Sequence, residues 1–429
     1  MRLAGLLAAL FCWAVLAAPP AAAHVDVLGS SPADGTRLTT PPTQVSIRLS
    51  ENVGVQKDAL RVEDVHGEVV SQGRVTQGAT AEELTIRLEP DLPDGTYLVH
   101  YAVVSTDSHP VRGGFAFVVG DGPLMNAGGA VSNADGTDTA VDVLTRVVRW
   151  VGYAGVALAG GLVFLLCCRP TRDSVGQGAV RAGCVVITVT GVLALGLEGA
   201  YVTGAGLSRV FAPDLLANTL ESAYGKLLIL RVIAAVVLMV IARRMLSTDA
   251  GREKPAHTNT AIIAGFVVLL SSAAAGHAIT TKVMFVSLLA DLSHYGAMAV
   301  WIGGVVQLAL LAGHEDMAVA LTRFSPIAKV SVAVVVLSGV LMTASYLGSV
   351  QALWSSTYGV LLLGKTAGFV VLLALADRCR VAVREGIAGG TTLVGVRTEA
   401  LRRVLVTEVV IAAAVLGIAA VVATTGTPG

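Results

Sequence analysis

The chain has 429 residues, of which 54% are hydrophobic and 14% charged, whereas a soluble globular protein carries about 25% charged residues. This composition excludes an ordinary soluble enzyme of this length, a disordered chain and a disulfide-rich scaffold. The 30 basic residues balance the 30 acidic ones, and only 5% of the residues are aromatic. The chain therefore lacks the net positive charge and the stacking surfaces with which proteins bind nucleic acids.

The N-terminal residues 1–23 have the pattern of a secretory signal peptide. Arg2 supplies a positive charge, residues 3–16 form a short apolar segment, and three alanines precede His24. Cleavage after this segment would make His24 the first residue of an exported protein; an uncleaved membrane anchor is the alternative. The five cysteines all lie outside residues 24–120, so no disulfide framework is expected in the exported region.

Residues 24–120 are polar and contain short segments whose residue pattern is typical of strands. These segments are 45–49, 84–88, 97–104 and 115–119. Turn-forming Pro, Asp and Gly residues separate them, and no segment has a sustained helical period. The pattern predicts an all-β domain, either a sandwich or a Greek-key barrel. The next segment, 121–144, is rich in Gly, Ala, Asn, Asp and Thr and is predicted to be a flexible linker.

A short motif near the end of this domain carries residue types that suit a metal. Side chains two positions apart in an extended strand point to one face, so Asp107 and His109 are expected to project together. With the ring and the terminal amine of His24 they form a nitrogen-rich set, which suits Cu(II) better than Zn or Cu(I). The amine must lose its proton to bind, so such a site weakens as the pH falls. On spacing alone, an ordinary surface turn is the alternative for Asp107 and His109.

The region 24–120 also resembles the CopC family of periplasmic copper-binding proteins. The segments that match are His24, 31–35, 49–51, 105–113 and 115–119. In that family the His at the mature N-terminus and the Asp and His of the motif bind Cu(II), and the resemblance carries these roles to His24, Asp107 and His109. Some members hold Cu(I) in a methionine-rich loop. No methionine lies between His24 and Leu124, so that second site is not expected here.

The rest of the chain is a series of apolar runs, each close to the roughly 20 residues that a helix needs to cross a bilayer. The eight runs are 147–168, 182–205, 226–246, 260–281, 284–311, 325–349, 359–377 and 404–424. Most flanking lysines and arginines lie after the first, third, fifth and seventh runs, and the positive-inside rule assigns those loops to the cytoplasm. We therefore expect an all-α domain of eight transmembrane helices over 145–425, in the cytoplasmic membrane, with the β domain and both mature termini outside.

The two halves of this domain look related. The segments 224–231 and 358–365 both begin with Tyr-Gly and end on a basic residue, Arg231 in the first and Lys365 in the second. This match predicts that the first four helices and the last four form a parallel repeat, an arrangement used by some transporters.

Ionisable residues inside a membrane are costly unless they are paired, so they often mark a pathway. Those in the apolar runs are Glu198, Arg231, His277, Asp291, His294, Lys365 and Glu408. Asp291, His294, Met298 and Trp301 fall at i, i+3, i+7 and i+10 of the fifth run, on one face of a helix. With His277 near the outer end of the fourth run, they offer a succession of hard to soft ligands to a copper ion moving inward.

Structural roles are the alternatives for these residues. Met298 and Trp301 belong to residue types that pack more often than they bind metal, and Asp291 can stabilise the bundle by pairing with Arg231 or Lys365.

Residues 145–425 resemble the CopD family of copper-resistance membrane proteins. The matching features are 276–278, 291–294, 301–304, 358–365 and Glu408. A CopC-like domain followed by a CopD-like domain also resembles the YcnJ-type copper importers. Together the two resemblances cover nearly the whole mature chain, and they imply copper import.

The sequence therefore predicts a protein that captures Cu(II) outside the cell and moves copper across the bilayer. Neither a Walker motif nor an aspartyl-phosphate motif occurs, so ATP-driven pumping is not expected, and the chain is predicted not to be an enzyme. Two alternatives stay open. His277 and His294 could bind a haem in a membrane reductase for Cu(II), or the chain could store or sense copper outside without transporting it. The expected partners are copper ion and the lipid bilayer.

Overall fold

The protein is described here from a computed structural model. The residues described are 27–50, 53–54, 59–78, 80, 82–105, 110–122, 139–170, 174–247, 254–274, 284–347, 349–388 and 396–425. Contacts divide the chain into two compact units. We call Ala22–Thr145 with Leu195–Lys226 the β unit, and Arg146–Ala194 with Leu227–Gly429 the helical unit.

The described part of the β unit contains nine strands arranged in two sheets. They are β1 (Val27–Ser31), β2 (Arg37–Leu38), β3 (Gln44–Leu49), β4 (Val53–Gly54), β5 (Leu60–Asp64), β6 (Ser71–Gln77), β7 (Glu83–Leu88), β8 (Gly95–Ser105) and β9 (Pro110–Val119). The first sheet has the order β1-β3-β7-β6. The second has the order β2-β9-β8-β4, with β5 also paired to β8. The only parallel pair among the described strands is β2 with β9.

The alternating sequence explains how the two sheets pack. Val45 and Ile47 of β3 are fully buried, and Ile47 lies opposite the buried Leu84 of β7. Val99 and Phe117 bring the inner face of the second sheet into the same apolar core. One face of each sheet is therefore dry, which is the packing of a β-sandwich. The all-β prediction is confirmed, and all four predicted strands are present.

The remaining elements are helices. They are α1 (Thr139–Cys168), α2 (Ser174–Thr203), α3 (Pro213–Glu221), α4 (Ala223–Ser247), α5 (Pro255–Ala273), α6 (Met284–Leu310), α7 (Met317–Tyr346), α8 (Ala352–Ser355), α9 (Thr357–Ala388) and α10 (Val396–Val422). Eight helices of the described chain are long and apolar enough to cross a membrane, all except the short α3 and α8. The predicted helical region with eight spans is therefore confirmed.

Several helices differ from the apolar runs in where they begin or end. Helix α1 begins at Thr139, inside the segment 121–144 predicted as a linker. Helix α7 begins at Met317, ahead of the run that starts at 325, because Met317 and Phe324 bury apolar side chains although polar residues interrupt the run between them. The described part of α5 ends at Ala273, short of the predicted end at 281.

Glycines allow two helices of the helical unit to approach closely. A Cβ on Gly303 of α6 would collide with the carbonyl oxygen of Ala157 on α1, and one on Gly160 would collide with the carbonyl of Ala299. Small residues at a helix crossing permit this backbone contact in membrane bundles. The crossing fixes α6, the helix that carries the predicted pathway residues, against α1.

Candidate metal site

The structure describes only some of the predicted ligands. Asp291, His294 and Met298 lie on α6, whereas His277 and all three residues predicted to bind Cu(II) lie outside the described residues. Those three residues are His24, Asp107 and His109.

The strands that flank the Cu(II) motif are described. Strand β8 ends at Ser105 and β9 begins at Pro110, and Val104 pairs with Pro110 at the end of a continuous antiparallel ladder. The two predicted motif ligands therefore occur in the sequence between the ends of two paired antiparallel strands.

Arg112, close behind the motif ligands, binds the end of a helix within the β unit. Its Nε donates to the carbonyl of Val202 at 2.7 Å, and a second guanidinium nitrogen donates to the carbonyl of Tyr201. These carbonyls lie in the last turn of α2, where helix carbonyls lack intrahelical partners and the helix dipole is negative. Burial lowers the pKa of Arg112. Gly204, at a φ of 72°, leaves space for the guanidinium.

Asp291 is a buried carboxylate with partners on two neighbouring helices. It is 5% exposed, and the hydroxyl of Tyr346 on α7 donates to its Oδ1 at 3.3 Å. Lys365 on α9 lies close enough to interact with it electrostatically. Of the two cations that the sequence offers as partners, Lys365 is the one near Asp291, and Arg231 donates to the carbonyl of Ser271 at 2.8 Å.

The hydrogen bonds of His294 indicate which ring nitrogen can bind a metal. Its Nδ1 lies 3.1 Å from the hydroxyl oxygen of Ser338 on α7. That hydroxyl can donate its hydrogen to the carbonyl of Val334, 2.5 Å away, or to that of Val335, and it then accepts from the His294 tautomer that is protonated at Nδ1. Nε2 then keeps its lone pair. A histidine that donates one ring N–H to a second group and offers the other nitrogen is the usual form of a metal ligand.

Met298 and Trp301 lie in an apolar cluster further along α6. Met298 is buried, and the Trp301 ring meets the Phe369 ring edge to face at 5.5 Å. These contacts favour packing for Trp301, and Met298 shares the same cluster. Although the predicted residues share one helix face, they do not form one polar site. Asp291 and His294 have polar neighbours, whereas Met298 and Trp301, further along the helix, have apolar ones.

A complete metal site does not occur among the described residues: no group of three or more His, Cys, Asp or Glu side chains is placed to hold an ion. The described arrangement is a pair, one carboxylate and one imidazole, each oriented by a hydroxyl from α7. Tyr346 and Ser338, which supply these hydroxyls, were not predicted from the sequence. Ser338 and Tyr346 are about two helical turns apart on an otherwise apolar helix, so they lie on one face of it, and this spacing is the sequence pattern that could have identified them.

Comparisons with known proteins agree with the division into a β region and a helical region. A family described as "CopC domain" matches residues 27–120. A family described as "Copper resistance protein D-like, N-terminal domain" matches residues 140–286. The family "Copper resistance protein D" matches residues 318–422.

Individual relatives cover different parts of the chain. A "Copper transport protein CutJ" from Bacillus subtilis (strain 168) is 28% identical over 372 residues, 82% of this chain and 67% of the relative. A "Copper resistance protein C" from Xanthomonas campestris pv. juglandis is 31% identical over 112 residues, 25% of this chain and 87% of the relative. Among solved structures, CopC from Methylosinus trichosporium OB3b is 28% identical and covers 23% of this chain and 95% of that one, with a TM-score of 0.21.

Proposed function

We propose that the chain, in which a CopC domain match precedes two copper resistance protein D matches, binds Cu(II) outside the cytoplasm and carries copper inward across the membrane. The observation that carries the proposal is the carboxylate–imidazole pair of Asp291 and His294 inside a bundle of membrane helices. A buried pair of this kind is costly, so it is kept where it contacts a transported ion or proton.

The first step of the proposal is capture by the β unit. His24 supplies its amine and its ring, and Asp107 and His109 supply a carboxylate and a second ring. Three nitrogens and one oxygen form a ligand set that favours Cu(II). The bond from Arg112 to the last turn of α2 supports this step, because it fixes the strand behind the motif to the end of a membrane helix.

The second step is passage through the helical unit. We propose that copper moves from His277 to Asp291 and His294 and then past Met298. The Nε2 lone pair of His294 and the carboxylate of Asp291 are the described groups with which an ion can exchange. In the positive-inside topology α6 runs from the outer side to the inner one, so an ion moving inward along it would meet Asp291 and His294 before Met298.

Copper uptake into proteoliposomes with the β unit facing the bath tests the whole proposal. We expect copper to accumulate in the lumen with the wild-type protein and not with empty vesicles. Bound copper without lumenal copper would overturn transport and leave storage or sensing. An intense Soret absorption band in the purified protein would instead indicate the haem reductase.

The capture site has its own test, which does not depend on transport. An extra alanine placed before His24 separates the amine from the ring, so we expect weaker Cu(II) binding and a changed paramagnetic-resonance spectrum. The matched control is His66→Ala, which removes an exposed histidine of the same unit and is expected to change neither. An unchanged spectrum in the extended protein would refute the proposed ligand set.

Topology can be tested by reporter fusion. A reporter that is active only in the cytoplasm should give signal within 247–258, between α4 and α5, and none after Thr424. The reverse pattern would refute both the topology and the inward direction.

A further inference from the structure

Glu408 on α10 is a buried acid that the proposed copper pathway does not use. It is 2% exposed, and its Oε1 has no hydrogen-bond partner among the described residues. An ionised carboxylate buried in apolar surroundings without partners is strongly disfavoured. A membrane protein that keeps such a residue usually employs it in ion or proton movement.

Glu408 lines a cavity between four membrane helices. The volume of the cavity is about 380 Å³, enough for several water molecules. Helices α6, α7, α9 and α10 contribute its walls, which include Trp301, Phe324, Lys329, Asp377, Leu405 and Glu408. The carboxyl group is therefore on the wall of a space that water can enter.

The charged groups on this wall come from two of the other three helices. Lys329 lies on α7 and Asp377 on α9, and both are exposed, whereas the α6 contribution is apolar. Asp377 lies at the end of the candidate span Thr357–Arg378. In the proposed topology this end faces the cytoplasm, so the cavity is on the cytoplasmic side of the bundle.

The wall chemistry suits a proton better than copper. Within the described residues, the cavity is lined by no His, Cys or Met. Copper in either oxidation state prefers nitrogen or sulfur ligands to carboxylates alone. A carboxyl group beside water needs no other ligand to exchange a proton.

We propose that Glu408 is a proton-binding site that exchanges with the cytoplasm through this cavity, and that it loses its proton when a copper ion passes. The inference rests on the proposed transport function. A passing cation stabilises the carboxylate, and the released proton leaves through the water-accessible cavity. When the ion has left, the carboxylate is again unpaired and takes up a proton from the same side.

Lumenal pH provides the test, since the lumen corresponds to the cytoplasm in vesicles with the β unit outward. We expect copper uptake by the wild-type protein to slow as the lumen is acidified at constant bath pH. Glu408→Gln should lose this dependence, and Glu408→Asp should retain it. Asp377→Asn is the matched control, because it removes the other carboxylate of the cavity, and it should respond to lumenal pH as the wild type does.

Infrared difference spectra provide a second readout that needs no transport. Subtracting the Glu408→Gln spectrum from the wild-type spectrum should reveal a protonated carboxyl C=O band that disappears when copper is added. Uptake with the same lumenal pH dependence in wild type and Glu408→Gln, or absence of the band, would overturn the proton site. Wild-type vesicles that bind copper without uptake would overturn the transport function instead, and the band would still decide the protonation of Glu408.

Discussion

The two halves of the helical region share a local structure but differ in chemistry. Ser222 before α4 and Ser356 before α9 make the same cap, in which the hydroxyl accepts from the backbone N–H of the glycine three residues later, at 3.0 Å in both. A Cβ on Gly225 or Gly359 would collide with a carbonyl of the preceding short helix. These matched starts support the internal repeat that the Tyr-Gly segments predict.

The cations at the ends of the repeated segments have different tasks. Arg231 in the first half donates to a helix carbonyl, that of Ser271. Lys365 in the second half interacts with the buried Asp291. A repeat can thus keep a basic residue at one position while one copy donates to a backbone carbonyl and the other lies near an acid.

The acid and imidazole themselves occur in one half. Counted back from Gly160 and Gly303, the paired glycines of α1 and α6, the positions of Asp291 and His294 correspond to Val148 and Val151. The polar pair is therefore not needed to form the repeat. This comparison separates the matched glycines, which pack at the helix crossing, from the polar pair, to which we assign a function.

The largest expected effect is loss of uptake when His294 is replaced. His294→Leu introduces an apolar side chain of similar size and removes the metal ligand, so copper uptake should be abolished. The matched control is Val151→Leu, which places the same side chain at the corresponding position of the first half. Flux of copper into vesicles should be lost in the first variant and unchanged in the second. Equal uptake in both would mean that the polar pair is only packing.

The next largest effect is expected when Asp291 is replaced. Asp291→Asn removes the charge, so uptake should fall sharply if the carboxylate contacts copper. Unfolding of the solubilised protein followed by circular dichroism distinguishes a structural role, because losing the buried carboxylate and its interactions with Tyr346 and Lys365 would then lower stability. A variant that is destabilised but carries copper at the normal rate would assign Asp291 to the bundle.

Substitutions of the two cations should have different effects in the same assays. Arg231→Met leaves a helix carbonyl without its donor, which should cost about 2 kcal/mol of stability and leave copper affinity unchanged. Lys365→Met should instead alter copper uptake, because it leaves Asp291 without its neighbouring charge. Thermal unfolding and copper uptake would be measured on both variants. If the two variants behaved alike, Arg231 and Lys365 would not have the different roles assigned to them.

A smaller effect is expected at Ser338, which orients the imidazole. Ser338→Ala removes the acceptor for Nδ1–H, and loss of such an orienting group typically weakens metal affinity by about tenfold or more. Ser331→Ala, a buried serine two turns earlier on α7, is the matched control and should leave copper affinity unchanged. Copper titration of the purified variants measures the difference, and equal affinities would remove Ser338 from the site.

The smallest effect tests the shared cap. Ser222→Ala and Ser356→Ala should each cost about 1 kcal/mol, as expected for loss of a helix N-cap. Both variants should transport copper normally. A large difference in stability between them, measured by thermal unfolding, would argue against an equivalent role for the two caps.

The sequence predicts the parts of the fold that rest on local pattern. Eight apolar runs become eight candidate membrane helices, and the alternation at 45–49 and 84–88 becomes two strands. Strand β6 was missed because Ser71–Gln77 is mostly polar and pairs at an irregular register beside a bulge. The helix ends were missed where buried residues such as Met317 extend a helix beyond the apolar run.

The site was predicted only as far as one helix face allows. Periodicity places Asp291 and His294 together, because residues three apart share a face. It cannot identify Tyr346 or Ser338 as their neighbours, and it cannot choose between Arg231 and Lys365 as a partner for Asp291. All of these residues belong to other helices, and those beside α6 meet it only through tertiary packing. The same limit applies to Glu408, whose surroundings come from three other helices.

The Arg112 bond to the last turn of α2 has a kinetic consequence. Under the proposed function, copper held by the motif would be delivered within one chain, so delivery would depend on an effective concentration, which for short flexible tethers is on the order of millimolar. Transfer would then be almost insensitive to the amount of copper dissolved outside once the motif is loaded. A chelator in solution would compete for loading but would intercept little copper between the β unit and the helices.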